Sequence, residues 1–181
     1  MRRYIAVNLE ELFLKRQSCR NYRTDPVPHA LLEKLIESAR LAPSACNSQP
    51  WFYYVAESPE KVRAIAAASQ ELGMNGFVKN VPAFIVVAED KPNLTERIGM
   101  RLKDQDFASL DLGLSVSQLI LRAAEEGLST CMIGMFSEKA VKEAVGAEGR
   151  VRLVVAVGYA AEGDPVRPKK RKAAEKIARY L

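Results

Sequence analysis

Between about residues 104 and 126 the chain carries a helical pattern that is apolar on nearly every face, with Phe107, Leu110, Leu112, Leu114, Val116, Leu119, Ile120, Leu121, Ala123 and Ala124. Such a helix has no face to give to water. It is either the centre of a domain or half of an interface between subunits. Small residues on it, Ala108, Ser109, Gly113, Ser115 and Ser117, would let another helix pack close, and Gly127 ends it. Everything else must be arranged around this element. The 181 residues suit one domain. A domain of that size buries roughly 70% of its unfolded surface and needs no disulfide or metal to fold. No internal repeat or linker interrupts the sequence, so residues 1–181 read as a single domain.

The flanking elements follow from local signals. Asn8 with Glu11 three residues later forms a capping-box pattern for a helix from Leu9 to about Lys15. Val27-Pro28 open a second helix with Leu31, Leu32, Leu35, Ile36 and Ala39 at helical spacing. A strand is expected near Trp51 to Ala56. Ser58-Pro59-Glu60 start a helix expected to run to about Leu72 and stop at Gly73. Residues 73–81 read as loop or irregular helix, and residues 89–103 as polar and undecided. Ala83-Phe84-Ile85-Val86-Val87-Ala88 is a continuous apolar run, the mark of a strand buried on both faces. A short run follows from Thr130 to Phe136, then a helix from Ser137-Glu138 to Gly146. A last buried strand covers Val151 to Val157, and a short helix is expected near 173–180. Helices mixed with a few buried strands give a three-layer α+β or α/β domain.

Composition removes several classes of function. Cys19, Cys46 and Cys131 are odd in number and far apart, with no CxxC, which argues against a metal cluster or disulfide framework. With His29 as the single histidine, a zinc site or a Ser-His-Asp triad has little to draw on. No GxGxxG or GxxxxGK[ST] occurs, so any phosphate is held by side chains and not by a glycine-rich turn. No apolar run reaches the ~18 residues of a membrane span, and no hydrophobic signal region follows Met1-Arg2-Arg3-Tyr4. No membrane association is expected, and the cytoplasm is the expected compartment. The net charge of +5 is local: Arg167-Pro168-Lys169-Lys170-Arg171-Lys172 holds five cations. Taking those five from 27 basic residues leaves 22, against 22 acidic ones. A neutral body with one basic patch suits a single anionic ligand better than a long nucleic acid, so no nucleic-acid partner is expected.

Four polar segments lie at the ends of buried elements: 16–20, 43–49, 131–134 and 167–172. The Arg16-x-Ser18-x-Arg20 segment forms a fork-like anion site, because guanidinium matches phosphate oxygens two at a time. A solvated basic loop is the plainer alternative for that segment alone. Pro43-Ser44-Ala45-Cys46-Asn47-Ser48-Gln49-Pro50-Trp51 is too polar for a strand, and its prolines exclude a helix interior. Pinned between two apolar elements, it is suited to presenting fixed hydrogen-bond groups. Taken alone it is equally an ordinary Ser/Asn/Pro turn.

Together these segments resemble the FMN-dependent nitroreductase family. Arg16-Gln17-Ser18-Cys19-Arg20-Asn21-Tyr22 is similar to that family's R-x-S-x-R-x-[YF] opening. Residues 43–51 resemble its P-S-[AS]-x-N-x-Q-P-W. The long helix with Asp111, Gly113, Leu119–Leu121 and Gly127-Leu128, then Ile133-Gly134, resembles its central helix and flavin-edge loop. Val157-Gly158-Tyr159 with the basic segment resembles its closing strand and tail. The resemblance implies an α+β fold of three layers, a mostly antiparallel sheet of four to five strands between helices. It implies a homodimer with two composite FMN sites, fed by NADH or NADPH as co-substrate.

By that resemblance Arg16, Gln17, Ser18 and Arg20 face the flavin from one chain, with Arg16 and Gln17 toward the phosphate and Arg20 toward the pyrimidine side of the ring. Lys169 and Arg171 join Arg16 at the phosphate. Pro43, Ser44, Ala45 and Asn47 come from the other chain, Gln49 is a further cofactor-binding residue, and backbone amides of Ile133 and Gly134 meet the ring edge. Asn75 is the nearest counterpart of the family's middle-segment asparagine. Where the family often has an aromatic or proline, this chain has Cys131-Met132. No side chain is required as acid or base, because the flavin carries the chemistry, with Arg20 as the cation that stabilises its reduced form. The implied activity is ping-pong hydride transfer from NAD(P)H to nitroaromatic, quinone or enone-type acceptors. Two alternatives remain: an enzyme that reduces or fragments flavin as its substrate, and a small basic nucleic-acid-binding protein.

Overall fold

Four strands form one antiparallel sheet in the order β1-β2-β4-β3, with β1 Trp51–Ala56, β2 Ala83–Glu89, β3 Ser129–Ile133 and β4 Val151–Gly158. The computed structural model describes residues 8–91 and 105–181. The central strands are the two continuous apolar runs. Every side chain from Ala83 to Ala88 is buried, as are those from Val154 to Val157. Strands with both faces covered need no polar alternation. Gly158 closes β4 against Pro82, where a Cβ would lie 2.6 Å from the proline ring.

Among the described residues five helices surround the sheet: α1 Leu9–Lys15, α2 His29–Arg40, α3 Pro59–Ala68, α4 Phe107–Glu125 and α5 Glu138–Val145. On one face Ile85, Val87, Val155 and Val157 pack with Leu32, Leu35 and Ala39 of α2 and Leu112, Val116 and Leu119 of α4. On the other, Phe84, Val86, Val154 and Ala156 pack with Ile65 of α3, Val141 of α5, Cys19 and Tyr22. Truncating a fully buried Leu119 to Ala would cost about 2–5 kcal/mol in lost transfer energy and cavity. The arrangement is the three-layer α+β sandwich that the resemblance implies, with four strands in the described chain.

The local signals act as expected. Asn8 accepts from the Glu10 and Glu11 amides at 3.1 and 3.4 Å, and its own amide donates to Glu11 Oε1 at 3.1 Å. Ser58 and Ser137 cap α3 and α5 through their hydroxyl oxygens. Two elements differ from the local reading. α3 stops at Ala68, and Glu71–Gly73 forms a separate 3-10 turn before the left-handed Asn75. The C-terminal segment makes one 3-10 turn, Ala174–Lys176, in place of the helix expected near 173–180. Ile177, Tyr180 and Leu181 find no apolar surface among the described residues and stay exposed, so no burial there offsets the entropy of helix formation. Of the polar stretch 89–103, residues 92–103 lie outside the described residues.

α4 has 19 residues of mean hydropathy 1.2, the length and apolarity of a membrane span, but half of it is buried inside the fold. Its buried half is the centre of the domain, one of the two places the sequence pattern allows. Its remaining face carries Leu110 and Leu114, 54% and 47% exposed, and α1 beside it exposes Phe13 and Leu14.

Candidate functional site

The loop after α1 is stitched to the edge of the sheet. Ser18 forms a parallel bridge with Thr130 of β3, and the Cys19 amide donates to the Thr130 carbonyl at 2.9 Å. Tyr22 bridges Ala160 beyond the end of β4. The C-terminal segment is then strapped onto the same loop. The Gln17 amide group donates to the Pro165 carbonyl at 3.1 Å and accepts from the Arg167 backbone N–H at 3.0 Å. The Arg167 guanidinium donates to the Ser18 carbonyl at 2.9 Å, and the Lys169 ammonium donates to the Arg16 carbonyl.

These ties bring Arg16, Lys169 and Arg171 to one end of a groove of about 440 Å³. Its floor is Ser117, Ile120 and Leu121 of α4 with Met132 of β3, and Phe13 and Leu14 wall it. Among the described residues no carboxylate lines it. Burial, and after it the charges of Arg16, Arg171 and Arg167, hold the Lys169 pKa below the ordinary lysine value. The cations thus repel one another across a space open to an anion. A dianionic phosphate at this end and a flat apolar body along the floor suit the chemistry of the lining.

Arg20 is exposed, and its charge is felt at the Cys131 thiol, which burial pushes up and Arg20 pulls partly back. Its guanidinium has no ion pair among the described residues. Burial likewise raises the Cys19 thiol. Both cysteines are therefore weakly ionised and poorly nucleophilic at neutral pH.

A second group sits elsewhere on α4. Ala45–Asn47 forms a 3-10 turn in which Cys46 and Asn47 have φ of 51° and 50°, and Gln49 follows at 51°. Three L-residues within four in the left-handed region persist only where the surroundings over-determine them, a pattern common at ligand sites. Ser44 Oγ accepts from the Gln49 amide at 2.9 Å, and the Gln49 side chain donates to the Asn47 carbonyl at 3.2 Å. The Ala45 amide donates to Asp111 Oδ2 at 3.0 Å. Pro43 is exposed at the mouth of the loop.

The third group lies at the end of β3. Ile133 is buried and Gly134 exposed. Asn75, in the left-handed region at φ 57°, donates from Nδ2 to the carbonyls of Ser69 at 2.9 Å and Met135 at 3.1 Å. It therefore clasps the residue after Gly134 to the turn beyond α3.

The structure thus gathers Arg16, Gln17, Ser18, Lys169 and Arg171, with Met132 linking that group to Ile133 and Gly134. The loop carrying Ser44, Ala45, Asn47 and Gln49 does not line the cationic groove. The sequence reading missed three features: the strapping role of Arg167, Met132 as groove floor, and Asp111 as anchor of the loop. A charged residue amid the apolar pattern of α4 was the available signal for the last.

The chain matches the family model described as the Nitroreductase family over residues 14–74 and 67–159. It is 43% identical over 77 residues to a Thermus thermophilus protein named NADH dehydrogenase, covering 42% of this chain and 36% of that relative. A Bacillus subtilis protein assigned as an NAD(P)H nitroreductase, YfhC, is 27% identical over 177 residues, 88% of each chain. The chain spans 36% and 60% of the length of the first two curated relatives it matches. A crystal structure of an Exiguobacterium sibiricum protein assigned as a nitroreductase, in complex with FMN, superposes with a TM-score of 0.78 at 25% identity, over 97% of this chain and 98% of that one.

Proposed function

The chain belongs to the nitroreductase family, and on that footing we propose that it is an FMN-dependent oxidoreductase acting as a homodimer. It takes reducing equivalents from NADH or NADPH and delivers them to small nitroaromatic, quinone or enone-type acceptors. The observation that carries this reading is the groove where Arg16, Lys169 and Arg171 converge beside an apolar floor, with no carboxylate among the described residues that line it. When bound, FMN supplies the two-electron chemistry. The chain's own residues bind and orient. Arg16, Lys169 and Arg171 neutralise the phosphate, with guanidinium forks engaging its oxygens in pairs. Gln17 and Arg167 hold the strap that brings those cations together. Arg20 supplies a fixed positive charge beside the ring. Ile133 and Gly134, at the end of edge strand β3, offer backbone amides to the ring edge, and Asn75 holds the carbonyl of Met135 so that this turn keeps its shape.

Two observations favour a site shared between subunits. The loop with Ser44, Ala45 and Asn47 lies away from the cationic groove, and α4 exposes Leu110 and Leu114 beside an apolar α1. A two-fold partner packed on that face would cover apolar surface and carry its own loop to the groove. The basic segment is engaged with its own fold through Arg167 and Lys169, which disfavours a role as an open nucleic-acid patch.

Anaerobic titration tests the reading. The apo-protein is loaded with FMN, and NADH and NADPH are added separately. One FMN per chain, bleached by at least one nucleotide and restored by a nitroaromatic or quinone, is expected. Failure to bind FMN, or bound FMN that neither nucleotide bleaches, overturns it.

A further inference from the structure

The polar and charged side chains buried in the described fold include Asp111 and Ser115, 4% and 0% exposed, one turn apart on α4. Positions i and i+4 lie one above the other on a helix, so these two form a polar stripe in an otherwise apolar core. Both reach the same stretch of chain. Ser115 Oγ donates to the Ala39 carbonyl at 2.7 Å and meets the Tyr53 hydroxyl. Asp111 Oδ2 accepts from the Ala45 amide at 3.0 Å. The stripe therefore fastens the segment at its entry from α2, at its middle and at its exit into β1.

What lies between those fastenings is the turn with Cys46, Asn47 and Gln49 in the left-handed region. The bonds Asn47 N–H to Ser44 O, Ser48 N–H to Ala45 O and Gln49 N–H to Ser44 Oγ close that turn on itself. Bonds internal to a turn shape it but do not place it. A buried carboxylate on a rigid helix does place it, and a charge-assisted bond to a backbone amide is stronger than a neutral one.

We infer that Asp111 is the positioning residue of the 43–49 loop: its carboxylate holds Ala45 so that Ser44 and Asn47 meet the flavin held by the neighbouring subunit. This rests on the FMN reading above. It also makes Asp111 act on the partner's site and not on the groove of its own chain.

The test uses three variants. Asp111→Leu removes the acceptor, Asp111→Asn keeps an acceptor oxygen, and Ala45→Pro removes the donor without touching the helix. In the apo-protein, hydrogen exchange at the Ala45 amide is expected to rise about tenfold in Asp111→Leu and to stay within about threefold of wild type in Asp111→Asn. The Kd for FMN is expected to rise about tenfold in both Asp111→Leu and Ala45→Pro, with Asp111→Asn near wild type. The loop lesion should also sort by subunit. Co-expressed Arg16→Glu and Asn47→Leu chains form mixed dimers in about half of assemblies, leaving about a quarter of all sites intact. Asp111→Leu should restore FMN binding when mixed with Arg16→Glu, and should not when mixed with Asn47→Leu. If Asp111→Leu does not fold, Ala45→Pro takes its place in the mixing experiment.

Recovery with Asn47→Leu in place of Arg16→Glu overturns the assignment, as does an unchanged Ala45 exchange rate and FMN affinity. A general packing defect in Asp111→Leu would restore neither pairing, and Ala45→Pro, which removes the donor and leaves the helix core untouched, would not reproduce it. If the Arg16→Glu and Asn47→Leu control pair itself shows no recovery, the shared-site reading fails and not merely the role of Asp111.

Discussion

The sharpest prediction concerns Arg171. Its side chain is exposed and, among the described residues, its guanidinium bonds to the neighbouring Lys170 carbonyl alone, at 2.8 Å, so a substitution there leaves the described fold untouched. It lines the cationic end of the groove with Arg16 and Lys169. A hydrogen bond from a charged donor to phosphate is worth about 1.5–3 kcal/mol, which is roughly 10- to 150-fold in Kd. Arg171→Gln should therefore weaken FMN by roughly that factor, and Arg171→Glu by more, because it adds repulsion toward the dianion. Riboflavin has the same ring and chain without the phosphate, so its affinity should move by less than about twofold. The site is partly open to solvent, so the FMN effect should shrink as ionic strength rises and the Debye length falls from about 10 Å at 0.1 M to about 3 Å at 1 M. Flavin fluorescence quenching read on both ligands at two salt concentrations measures all of this. Equal losses for FMN and riboflavin would refute the phosphate assignment, and so would an FMN loss that salt does not reduce.

Three further outcomes are expected. Arg20→Met should keep FMN bound but lower its reduction potential on the order of 30 mV, about 1.4 kcal/mol for a two-electron couple; a potential unchanged within error removes Arg20 from that role. Leu114→Glu, on the exposed apolar face of α4, should give a monomer in sedimentation with little FMN, whereas a compact wild-type monomer that holds FMN would contradict the dimer. Asp106 caps α4 through the Ser109 hydroxyl and amide, bonds that hold its carboxyl below the usual aspartate pKa. A depressed folded pKa contributes stability above the unfolded value of about 3.9 and loses it as pH falls through the folded value. Asp106→Ala should thus cost about 1 kcal/mol at pH 7, about 2–4 °C in Tm, and the gap to wild type should narrow toward pH 3; a gap independent of pH would place the effect elsewhere.

The sequence by itself determined the parts of this protein that depend on near neighbours in the chain. Asn8, Ser58 and Ser137 cap helices because an N-cap oxygen reaches amides only two or three residues on. The runs 83–88 and 153–157 are central strands because no polar residue gives either face to water. The pattern of 104–126, apolar on nearly every face, required a helix at the centre of the domain or of a subunit interface, and motif order was enough to suggest FMN, Arg16, Lys169 and Asn47. Tertiary structure decided what bonds across long separations. Gln17 and Arg167 are 150 residues apart and become one strap only because Ser18 pairs with Thr130 at the sheet edge. Asn75 clasps Met135 across 60 residues, and Asp111 reaches Ala45 across 66. The helical signal near 173–180 failed for the converse reason: propensity without a packing partner does not fix a helix. Capping and periodicity are summed over a few residues and survive in the sequence. A carboxylate's choice of one distant amide is made only when the core has closed around both.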